Sequence, residues 1–367
     1  MKLLFIGITN HHHIQNFSKS IKKNLGYKLY AINLNPNYID NKSEKDLFEK
    51  EFEVKRYKSR FRDFFSKVFS PIRMLISLRE KIDVVQFHMI SLYTLPLAVI
   101  AKIKGMKVSC FVWGSEFLRA NKIMKRYFYF VFKNSDSVVS DSTSLCEKLQ
   151  EEYSSLKSRI SYMQFGSTVI DDLLQTNYDS QRVSLKTIVM CGYNGSPDQK
   201  QFEMIEALHP LKDQLYLILP MTYSCDEEHR RVVRDNAQKY GFEFQLLDHF
   251  IEGEEWENYI KMTDVFIHMQ STDSFSSSVA EQLLLGHVVI NGEWLEYKDL
   301  DKEGVFYIKS NISNLFDIVR EVVEDKNKFA LLCKGNKEKI IKLKSLNYCV
   351  NNYWKPYFEE LLKTETD

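Results

Sequence analysis

The chain has 367 residues, of which 44% are hydrophobic and 27% are charged, and its formal net charge is +1. This length allows two domains, and the composition is that of an ordinary globular protein. The balanced charge excludes the strong basic excess by which nucleic-acid-binding proteins are usually recognised.

The cysteines and the apolar segments restrict the class of protein further. Six cysteines are scattered along the chain without a C-x-x-C pair, which predicts neither a zinc site nor a disulfide framework and fits a reducing cytoplasm. Residues 1–13 become polar too soon for a signal peptide. The longest apolar run, residues 92–101, is too short to cross a bilayer, which needs about 20 residues.

The first elements predict a doubly wound parallel sheet. Strands are expected at residues 3–7 and 28–34, with a helix at 17–25 between them. The polar loop at 8–16 then lies at the carboxyl end of a strand, where such sheets bind ligands, and it contains Asn10, His11, His12 and His13. The three histidines fit a metal site, a cleft-lining or base role for one of them, or a solvated loop.

A polar connection at 40–53 leads to a basic, aromatic segment. Between Lys55 and Lys81 there are nine Lys or Arg residues and two acids, and apolar residues fall at helical spacing: Phe61, Phe64, Phe65, Val68, Phe69 and Ile72. The pattern is typical of an amphipathic helix on the anionic inner face of a membrane. It equally fits a domain helix with its phenylalanines in the core, which ends or kinks at Pro71. Residues 122–133 form a second such segment, with core packing as the default.

The rest of the first half continues the strand–helix alternation. Strands are predicted at 82–88, 108–113 and 137–142, with helices at 92–103 and 143–153. His88 ends its strand, which favours either a catalytic position at the cleft or a hydrogen-bonded structural histidine. Gly114, Ser115 and Glu116 follow the next strand. Residues 160–166 close the first domain, with a boundary near Gly166.

A second sheet begins with a strand at 187–191, after a polar stretch at 171–185. The loop after that strand contains Asn194 and Gly195, and Lys200 stands at the start of the following helix. A strand at 215–220 leads to Thr222 and Tyr223, which either contact a nucleotide or phosphate or form a turn. Further strands are expected at 242–247 and 305–308, and helices at 256–262, 312–323, 329–333 and 348–362.

Residues 264–290 carry the clearest motif. They predict a strand at 265–269, a polar loop, a helix, Gly286 as its C-cap, and a buried strand at 287–290. Three serines can cap the helix start, because serine oxygens accept its free backbone N–H groups: Ser276, Ser277 and Ser278. A helix start above a parallel sheet is a ready anion site. Asp273 and Glu281 bracket this turn, although ordinary α/β loops can match so short a pattern.

This segment resembles the donor site of retaining GT-B glycosyltransferases of family 4. Their signature is an acidic residue, seven residues, and Glu in a small-apolar helix followed by Gly and a strand. Asp273 takes the first position, where relatives usually have Glu, and Glu281 takes the second. The resemblance implies that Asp273 lies near the donor sugar, Glu281 binds the ribose and Lys200 neutralises the diphosphate. Asn194 stands near the position of an Arg in the family.

The resemblance also implies the architecture: an α/β protein of GT-B fold, with two Rossmann-like domains whose parallel sheets face each other across a cleft. The domains are expected at 1–166, for the acceptor, and at 167–345, for the nucleotide sugar. The last segment, 346–367, is expected to pack back towards the first domain. Residues 217–223 are similar, more weakly, to transferases of acetamido-dideoxygalactose, which would suggest an inverting reaction.

The expected function is a bacterial glycosyltransferase of the hexosyltransferase type. It would move a sugar from a nucleotide-diphosphate donor to a polyprenyl-diphosphate-linked or similar acceptor in O-antigen, capsule or exopolysaccharide synthesis. The reaction is expected to retain configuration and to need no metal or other cofactor. The enzyme would be cytoplasmic and peripheral on the inner face of the membrane. A GT-B-fold sugar-nucleotide epimerase and a non-catalytic binding or assembly partner remain alternatives.

Overall fold

The computed structural model describes residues 1–36, 46–175, 182–251, 253–273 and 275–363. Its strands are β1 Lys2–Gly7, β2 Lys28–Asn33, β3 Lys50–Glu53, β4 Val84–His88, β5 Lys107–Phe111, β6 Ser137–Ser140, β7 Ile160–Tyr162, β8 Thr187–Cys191, β9 Leu215–Pro220, β10 Glu243–Leu247, β11 Val265–His268, β12 Val288–Gly292 and β13 Ile308–Ser310.

The helices alternate with these strands. They are α1 His12–Leu25, α2 Arg60–Ser77, α3 Thr94–Ile103, α4 Ser115–Leu118, α5 Lys122–Lys133, α6 Thr143–Glu152, α7 Thr168–Gln175, α8 Gln201–Leu208, α9 Glu227–Lys239, α10 Gly253–Met262, α11 Ser277–Leu284, α12 Lys298–Lys302, α13 Leu315–Glu324, α14 Lys326–Cys333, α15 Asn336–Lys344, α16 Leu346–Cys349 and α17 Lys355–Lys363. A π-helical segment, Val350–Trp354, joins α16 to α17.

The chain forms two compact units, Met1–Thr168 with Leu346–Asp367, and Val169–Ser345. The sheet of the first unit has the order β3-β2-β1-β4-β5-β6-β7, and that of the second has the order β10-β9-β8-β11-β12-β13. All pairings described between these strands are parallel. The predicted α/β class with two Rossmann-like parallel sheets is therefore confirmed.

Both sheets are buried on both faces, as helical crossovers require. Successive residues of a strand point to opposite faces. Along β1, Leu4 and Ile6 pack into one apolar cluster, and Leu3 and Phe5 into another. Near-continuous apolar strands of this kind were visible in the sequence and explain why their positions could be predicted.

The last helices belong to the first unit. The side chain of Trp354 is fully buried, and its ring centroid lies 4.7 Å from that of Phe17 on α1. Its indole Nε1 donates a hydrogen bond of 2.8 Å to the carbonyl of Gln164. Residues 346–363 thus complete one face of the first sheet.

Several predicted boundaries were wrong. Helix α1 begins at His12 rather than at residue 17, because the buried stripe starts with Ile14 and the Nδ1 atom of His11 accepts a hydrogen bond from the backbone N–H of His13. Of the two alternatives for Pro71, an end of the helix is wrong, since α2 continues to Ser77, and a kink stays a prediction. The predicted connection at 40–53 lies outside the described residues as far as position 45, and its end forms β3. The stretch 171–185 contains most of α7 and lies outside the described residues at 176–181.

Each sheet has a point where the strand order reverses, and ligands of such sheets bind at the carboxyl ends of the strands there. In the first sheet this point lies between β1 and β4, and in the second between β8 and β11. Gly7 allows β1 and β4 to approach closely, since a Cβ atom at this position would lie 2.5 Å from the carbonyl oxygen of His88.

Candidate functional site

In the second unit, the loop between β11 and α11 forms the predicted helix start. The Oγ atom of Ser276 accepts a hydrogen bond of 3.4 Å from the N–H of Val279, and Ser276 is the N-cap. Ser277 and Ser278 occupy the first turn, where Ser277 is exposed to solvent. One carboxylate oxygen of Asp273 accepts a hydrogen bond of 2.8 Å from the N–H of Ser276. The capping role of the serines is thereby confirmed for Ser276.

Asp273 is held by a second contact that the sequence did not indicate. The hydroxyl of Tyr297 donates a hydrogen bond to the same oxygen of Asp273. Burial and the neighbouring carboxylate raise the pKa of Tyr297, so its hydroxyl stays protonated as a donor. Behind it, the Nδ1 atom of buried His268 lies 3.2 Å from the Tyr297 hydroxyl and 2.8 Å from Oδ1 of Asn291. This buried chain of polar groups fixes the direction of the Asp273 carboxylate.

The side chain of Gln270 connects the two strands at the reversal point. Its Oε1 atom accepts hydrogen bonds from the Tyr193 hydroxyl at 2.8 Å and from Nε2 of Gln199 at 3.1 Å. Its backbone carbonyl accepts one of 2.8 Å from the indole of Trp294. The loop after β8 is therefore tied to the end of β11.

The loop after β8 is tightly folded around its glycines. A Cβ atom at Gly195 would lie 2.4 Å from the Cβ of Cys225, so no side chain fits there. The N–H of Gly195 donates to the carbonyl of Tyr223 at 2.9 Å, and the Oδ1 atom of Asn194 accepts from the N–H of Ser196 at 2.9 Å. Asn194 is buried and shapes its own loop, whereas Tyr223 is exposed and Thr222 partly exposed.

Two cations lie near these loops. Lys200 adopts a left-handed backbone conformation with φ of 60°, and its ammonium group stands 4.1 Å from the centre of the Trp294 ring, a cation–π contact. The guanidinium of Arg230 lies 3.4 Å from the carbonyl of Met221 and also pairs with Glu227. Its Nε atom is buried and has no hydrogen-bond partner within the described residues. Arg230 thus lies at the end of β9, the strand next to β8 in the sheet.

Glu281 is buried in the second turn of α11, with 3% of its surface exposed. The indole of Trp256 donates a weak hydrogen bond of 3.4 Å to its Oε2 atom. Burial raises the pKa of Glu281 to about 7. A carboxylate this poorly compensated is suited to accept hydrogen bonds from the hydroxyls of a ligand.

In the first unit, His88 lies at the end of β4 inside a cage of aromatic rings. Its ring centroid is 5.1 Å from that of Phe5 and 6.4 Å from that of Trp113. Burial lowers the pKa of His88 to about 3, so its imidazole is neutral. Among the described residues, neither ring nitrogen has a hydrogen-bond partner. Within the described residues, the structure therefore does not support the alternative that His88 is a hydrogen-bonded structural histidine.

The histidine triplet stands at the start of α1 rather than in a loop. The His11 and His12 rings stack at 4.4 Å, those of His12 and His13 lie 4.0 Å apart, and the ring of His13 lies 6.0 Å from that of Trp113. Burial lowers the pKa of His11 and His12. Within the described ranges, no group of three or more His, Cys, Asp or Glu side chains is placed to hold a metal ion.

Asn10 and Glu116 occupy the same edge of the first sheet. Asn10 is buried and donates a hydrogen bond of 3.2 Å to the carbonyl of Pro36. The carboxylate of Glu116 accepts one of 2.9 Å from the N–H of Trp113, and burial raises its pKa.

Helix α2 carries a row of exposed aromatic rings. Phe61, Phe65 and Phe69 are 72%, 41% and 57% exposed, and their rings pack along the row at 4.6 and 5.5 Å. The alternative that these phenylalanines lie in the core is wrong, because Leu75 and Ile72 occupy the inner face instead. The side chain of Phe64 lies outside the described set. In α5, by contrast, Phe128, Val131 and Phe132 are buried, which confirms core packing there.

The residues that sequence reasoning missed fall into two groups. His268 and Gln270 are polar residues at the end of a buried strand, a signal that was available. Trp256, Trp294 and Tyr297 carried none, since each reaches the site through tertiary packing from a different segment.

Comparisons with known proteins give the fold of the chain and a family match over part of it. Residues 2–142 match the family model described as glycosyl transferase 4-like. None of the curated proteins matches the sequence. A glycosyltransferase from Rickettsia africae has a TM-score of 0.75 at 14% identity, with 99% of both chains covered. Anabaena HepE in complex with UDP and glucose has a TM-score of 0.66 at 13% identity, covering 99% of this chain and 100% of that one.

A third similar structure, from Listeria monocytogenes, is described as a UDP-N-acetylglucosamine 2-epimerase. Its TM-score is 0.63 at 14% identity, with 99% of this chain and 97% of that chain covered. At such identities a likeness shows the fold alone. The fold is GT-B, as predicted, and both kinds of activity occur among the proteins that share it.

Proposed function

We propose that the chain, which has the GT-B fold and matches a glycosyl transferase 4-like model over residues 2–142, is a glycosyltransferase. It would transfer one sugar from a nucleoside-diphosphate donor to a lipid-linked glycan acceptor. The acceptor would be a polyprenyl-diphosphate-linked intermediate of a bacterial surface polysaccharide. The proposal is carried by one observation: at the reversal point of the second sheet, Asp273, the open start of α11 and Glu281 follow one another.

The donor would bind to the second unit through three kinds of contact. The helix start at Ser276 to Ser278 would stabilise the diphosphate through the backbone N–H groups of Ser277 and Ser278, with Ser276 as the N-cap. The ammonium of Lys200 would assist, as preorganised donors do for a developing anion. Arg230 supplies a second cation. Glu281 would accept hydrogen bonds from the ribose hydroxyls. Anabaena HepE, of the same fold, was crystallised with UDP and with UDP-glucose, so a uridine nucleotide is the first donor to test.

The side chain of Asp273 would orient the sugar. The carboxylate is held by Ser276 and Tyr297 through one oxygen, and its other oxygen is available to a sugar hydroxyl. Positioning of this kind lowers the entropic part of the barrier. Neutral loop contacts from Asn194, Gly195, Thr222 and Tyr223 would complete the donor site.

In the transfer, the bond from the anomeric carbon to the diphosphate oxygen breaks and a bond to an acceptor hydroxyl forms. In the retaining reaction that we favour, the leaving diphosphate takes the acceptor proton, and no protein base or metal ion is required. In an inverting reaction a histidine of the first unit would take it. His13 would then be the better base, because the low pKa of His88 makes its imidazole a weak one.

The acceptor would bind to the first unit at its strand ends, near Asn10, His11, His12 and Glu116. We further propose that the protein is peripheral on the anionic inner face of the cell membrane. No helix among the described residues is long and apolar enough to cross a bilayer. The exposed phenylalanine row of α2, flanked by exposed Arg62 and Arg73, supports binding at the membrane surface.

Titration calorimetry with UDP tests the donor site. Glu281→Ala should weaken UDP binding at least about tenfold, because the ribose loses hydrogen bonds to a buried charged acceptor. Glu324→Ala, at an exposed glutamate of α13 in the same unit, is the matched control and should bind like the wild type. If a folded Glu281→Ala variant binds UDP as tightly as the wild type, the assignment of Glu281 to the ribose is wrong.

The same purified protein separates the alternatives. Incubation with a UDP-sugar alone should leave the sugar unchanged, whereas conversion without an acceptor would favour the epimerase. Transfer of labelled sugar to a lipid-linked acceptor supports the proposal. A protein that binds none of the common nucleoside diphosphates would be a non-catalytic partner.

A further inference from the structure

The first unit has a cavity of its own at the reversal point of its sheet. Its volume is about 200 Å³, and it lies beyond the ends of β1 and β4, where Gly7 and Met89 form part of its wall. Met89 has a φ of 79°, an uncommon backbone conformation for a residue with a side chain. Two cationic side chains, those of Arg56 and Lys67, line the same cavity.

These two cations share one carboxylate. Nε and Nη2 of Arg56 donate to the two oxygens of Asp63 at 2.8 and 3.1 Å, and the Lys67 ammonium lies 3.0 Å from Oδ2 of Asp63. Nη1 of Arg56 donates to the Asn35 amide oxygen. A guanidinium has five N–H donors and an ammonium three, so both cations keep donors beyond these contacts. The cluster carries a net positive charge.

A larger groove runs along α2. Its volume is about 610 Å³, and it is lined by the rings of Tyr57, Phe65 and Phe69 together with cationic side chains. Lys55, Arg62 and Arg73 supply the charge, against the single carboxylate of Glu53. Lys67 of α2 lines the cavity, and Ser66 and Ser70 of the same helix line the groove, so both spaces border α2. The combination is a compact cationic end followed by a basic and aromatic track.

We propose that the cavity binds the diphosphate of an isoprenoid-linked acceptor, and that the groove along α2 binds its first isoprene units. This assignment rests on the proposed function and names the part of the acceptor that this unit recognises. A diphosphate matches the cationic cluster in charge and size, and Arg and Lys are the side chains that bind phosphate groups. An isoprenoid chain is apolar and gains by covering the exposed rings of Phe65 and Phe69.

Asp63 competes with the ligand for the same cations. Hydrogen bonds from Arg56, the backbone of Tyr57 and Lys67 hold the pKa of Asp63 well below its usual range, so this carboxylate stays ionised. Its charge opposes the entry of another anion. Removal of that charge should therefore strengthen anion binding, a direction opposite to the one expected for most substitutions in a binding site.

Titration with farnesyl diphosphate, a soluble isoprenoid diphosphate, tests the site without donor or vesicles. Lys67→Gln should weaken binding about tenfold, the loss expected for one charge-assisted hydrogen bond, and Lys67→Arg should restore most of it. Asp63→Asn should tighten binding several-fold. Lys58→Gln, at an exposed lysine that lines neither space, is the matched control and should bind like the wild type.

Inorganic pyrophosphate separates the two halves of the site. Phe65→Ala should weaken the binding of farnesyl diphosphate and leave the binding of pyrophosphate unchanged. Lys67→Gln should weaken the binding of both ligands. If pyrophosphate binds as tightly as farnesyl diphosphate, the isoprenoid chain contributes nothing to binding, and the assignment of the groove is wrong. The assignment of the cavity is wrong if farnesyl diphosphate does not bind to the wild type. It is also wrong if the Lys67→Gln variant binds farnesyl diphosphate as tightly as the wild type.

Titration of the same variants with UDP distinguishes this failure from a failure of the proposed function. UDP contacts the second unit in our proposal, so Lys67→Gln, Asp63→Asn and Phe65→Ala should all bind it normally. If UDP binds normally and farnesyl diphosphate does not bind, the proposed donor site is retained. Only the assignment of the acceptor cavity is then rejected. Thermal unfolding of each variant shows that the protein is folded in the assay.

Discussion

Glu281 is the residue with the clearest energetic signature. Its carboxyl group is buried inside α11 with only the Trp256 indole as a described partner, and its pKa is raised from 4.5 to about 7. A buried carboxylate with so little compensation fits the ligand contact that we propose for Glu281. The burial of Glu281 and its raised pKa add a physical reason to a position that the sequence indicated only by resemblance.

The raised pKa of Glu281 predicts a specific pH dependence of stability. Between about pH 4.5 and 7 the folded protein keeps a proton that the unfolded chain has released. The stabilising effect is therefore fully present below 4.5 and lost as the pH rises through about 7. One pKa unit corresponds to about 1.4 kcal/mol, so the loss is about 3 kcal/mol.

Urea unfolding of the wild type and of Glu281→Gln measures this effect. Glutamine does not titrate, so the free energy of unfolding of the wild type relative to the variant should fall by about 3 kcal/mol between about pH 5 and 8. Glu324→Gln is the control for an exposed glutamate. A difference that stays constant with pH would show that Glu281 is not protonated in the folded protein.

Other residues of the site mark the limit of sequence reasoning at this scale. Asp273, Ser276 and Glu281 could be predicted because their relation is local, within one loop and one helix. Tyr297 could not, since its hydroxyl reaches Asp273 across 24 positions of the chain. Lys200 was predicted as a phosphate contact, but its packing on Trp294 depends on a residue almost a hundred positions away, which no local pattern indicates.

At the scale of elements, strands were easier to predict than the environment of a helix. Strands β8 and β9 have the predicted bounds, because a strand buried on both faces is an uninterrupted apolar run. Helix α2 has the predicted periodicity, yet an apolar stripe has the same spacing whether it faces a core or a membrane. The structure leaves Phe61, Phe65 and Phe69 exposed, which excludes the core for these three side chains. Membrane binding stays a prediction.

The exposed row of α2 predicts binding to anionic vesicles. Phe61→Ser combined with Phe69→Ser should lower the partition coefficient about tenfold or more, since each phenylalanine loses apolar burial of about 1.5–3 kcal/mol. Arg62→Gln with Arg73→Gln should lower it further at low salt and little at high salt, because the attraction to the lipid is screened.

Sedimentation with vesicles of phosphatidylglycerol and phosphatidylcholine gives the measurement. Leu331→Ser, at a residue of α14 that is 70% exposed, is the matched control for removal of a surface apolar side chain. Equal sedimentation of the wild type and the Phe61→Ser, Phe69→Ser variant would reject α2 as the membrane surface.

At the scale of the whole molecule, the chain returns to the first unit after completing the second. The resemblance implied such a terminal helix, and apolar spacing in the sequence indicated its length. The break into α16, a π-helical segment and α17 was not predicted. A π-helical turn depends on how the segment packs, here with Val350 and Trp354 both buried in the apolar cluster around Phe17, rather than on local propensity.

The stability of the first unit should therefore depend on residues at the far end of the sequence. Trp354→Ala removes a fully buried indole and its hydrogen bond to Gln164, a change that typically costs about 3–5 kcal/mol. Because Trp354 packs against the first sheet, the loss should appear as faster hydrogen exchange in β1 and β4. The amides of β8 and β9, in the second unit, should keep their protection.

Leu362→Ala, on the adjoining helix α17, provides the matched control. Leu362 is 40% exposed, so its truncation should change the free energy of hydrogen exchange by no more than about 0.5 kcal/mol in either unit. Equal loss of protection in β1 and β8 on Trp354→Ala would mean that the two units unfold as one. Localised loss would establish that residues 346–363 are an integral part of the first unit, so that a fragment ending near residue 168 lacks one face of its own core.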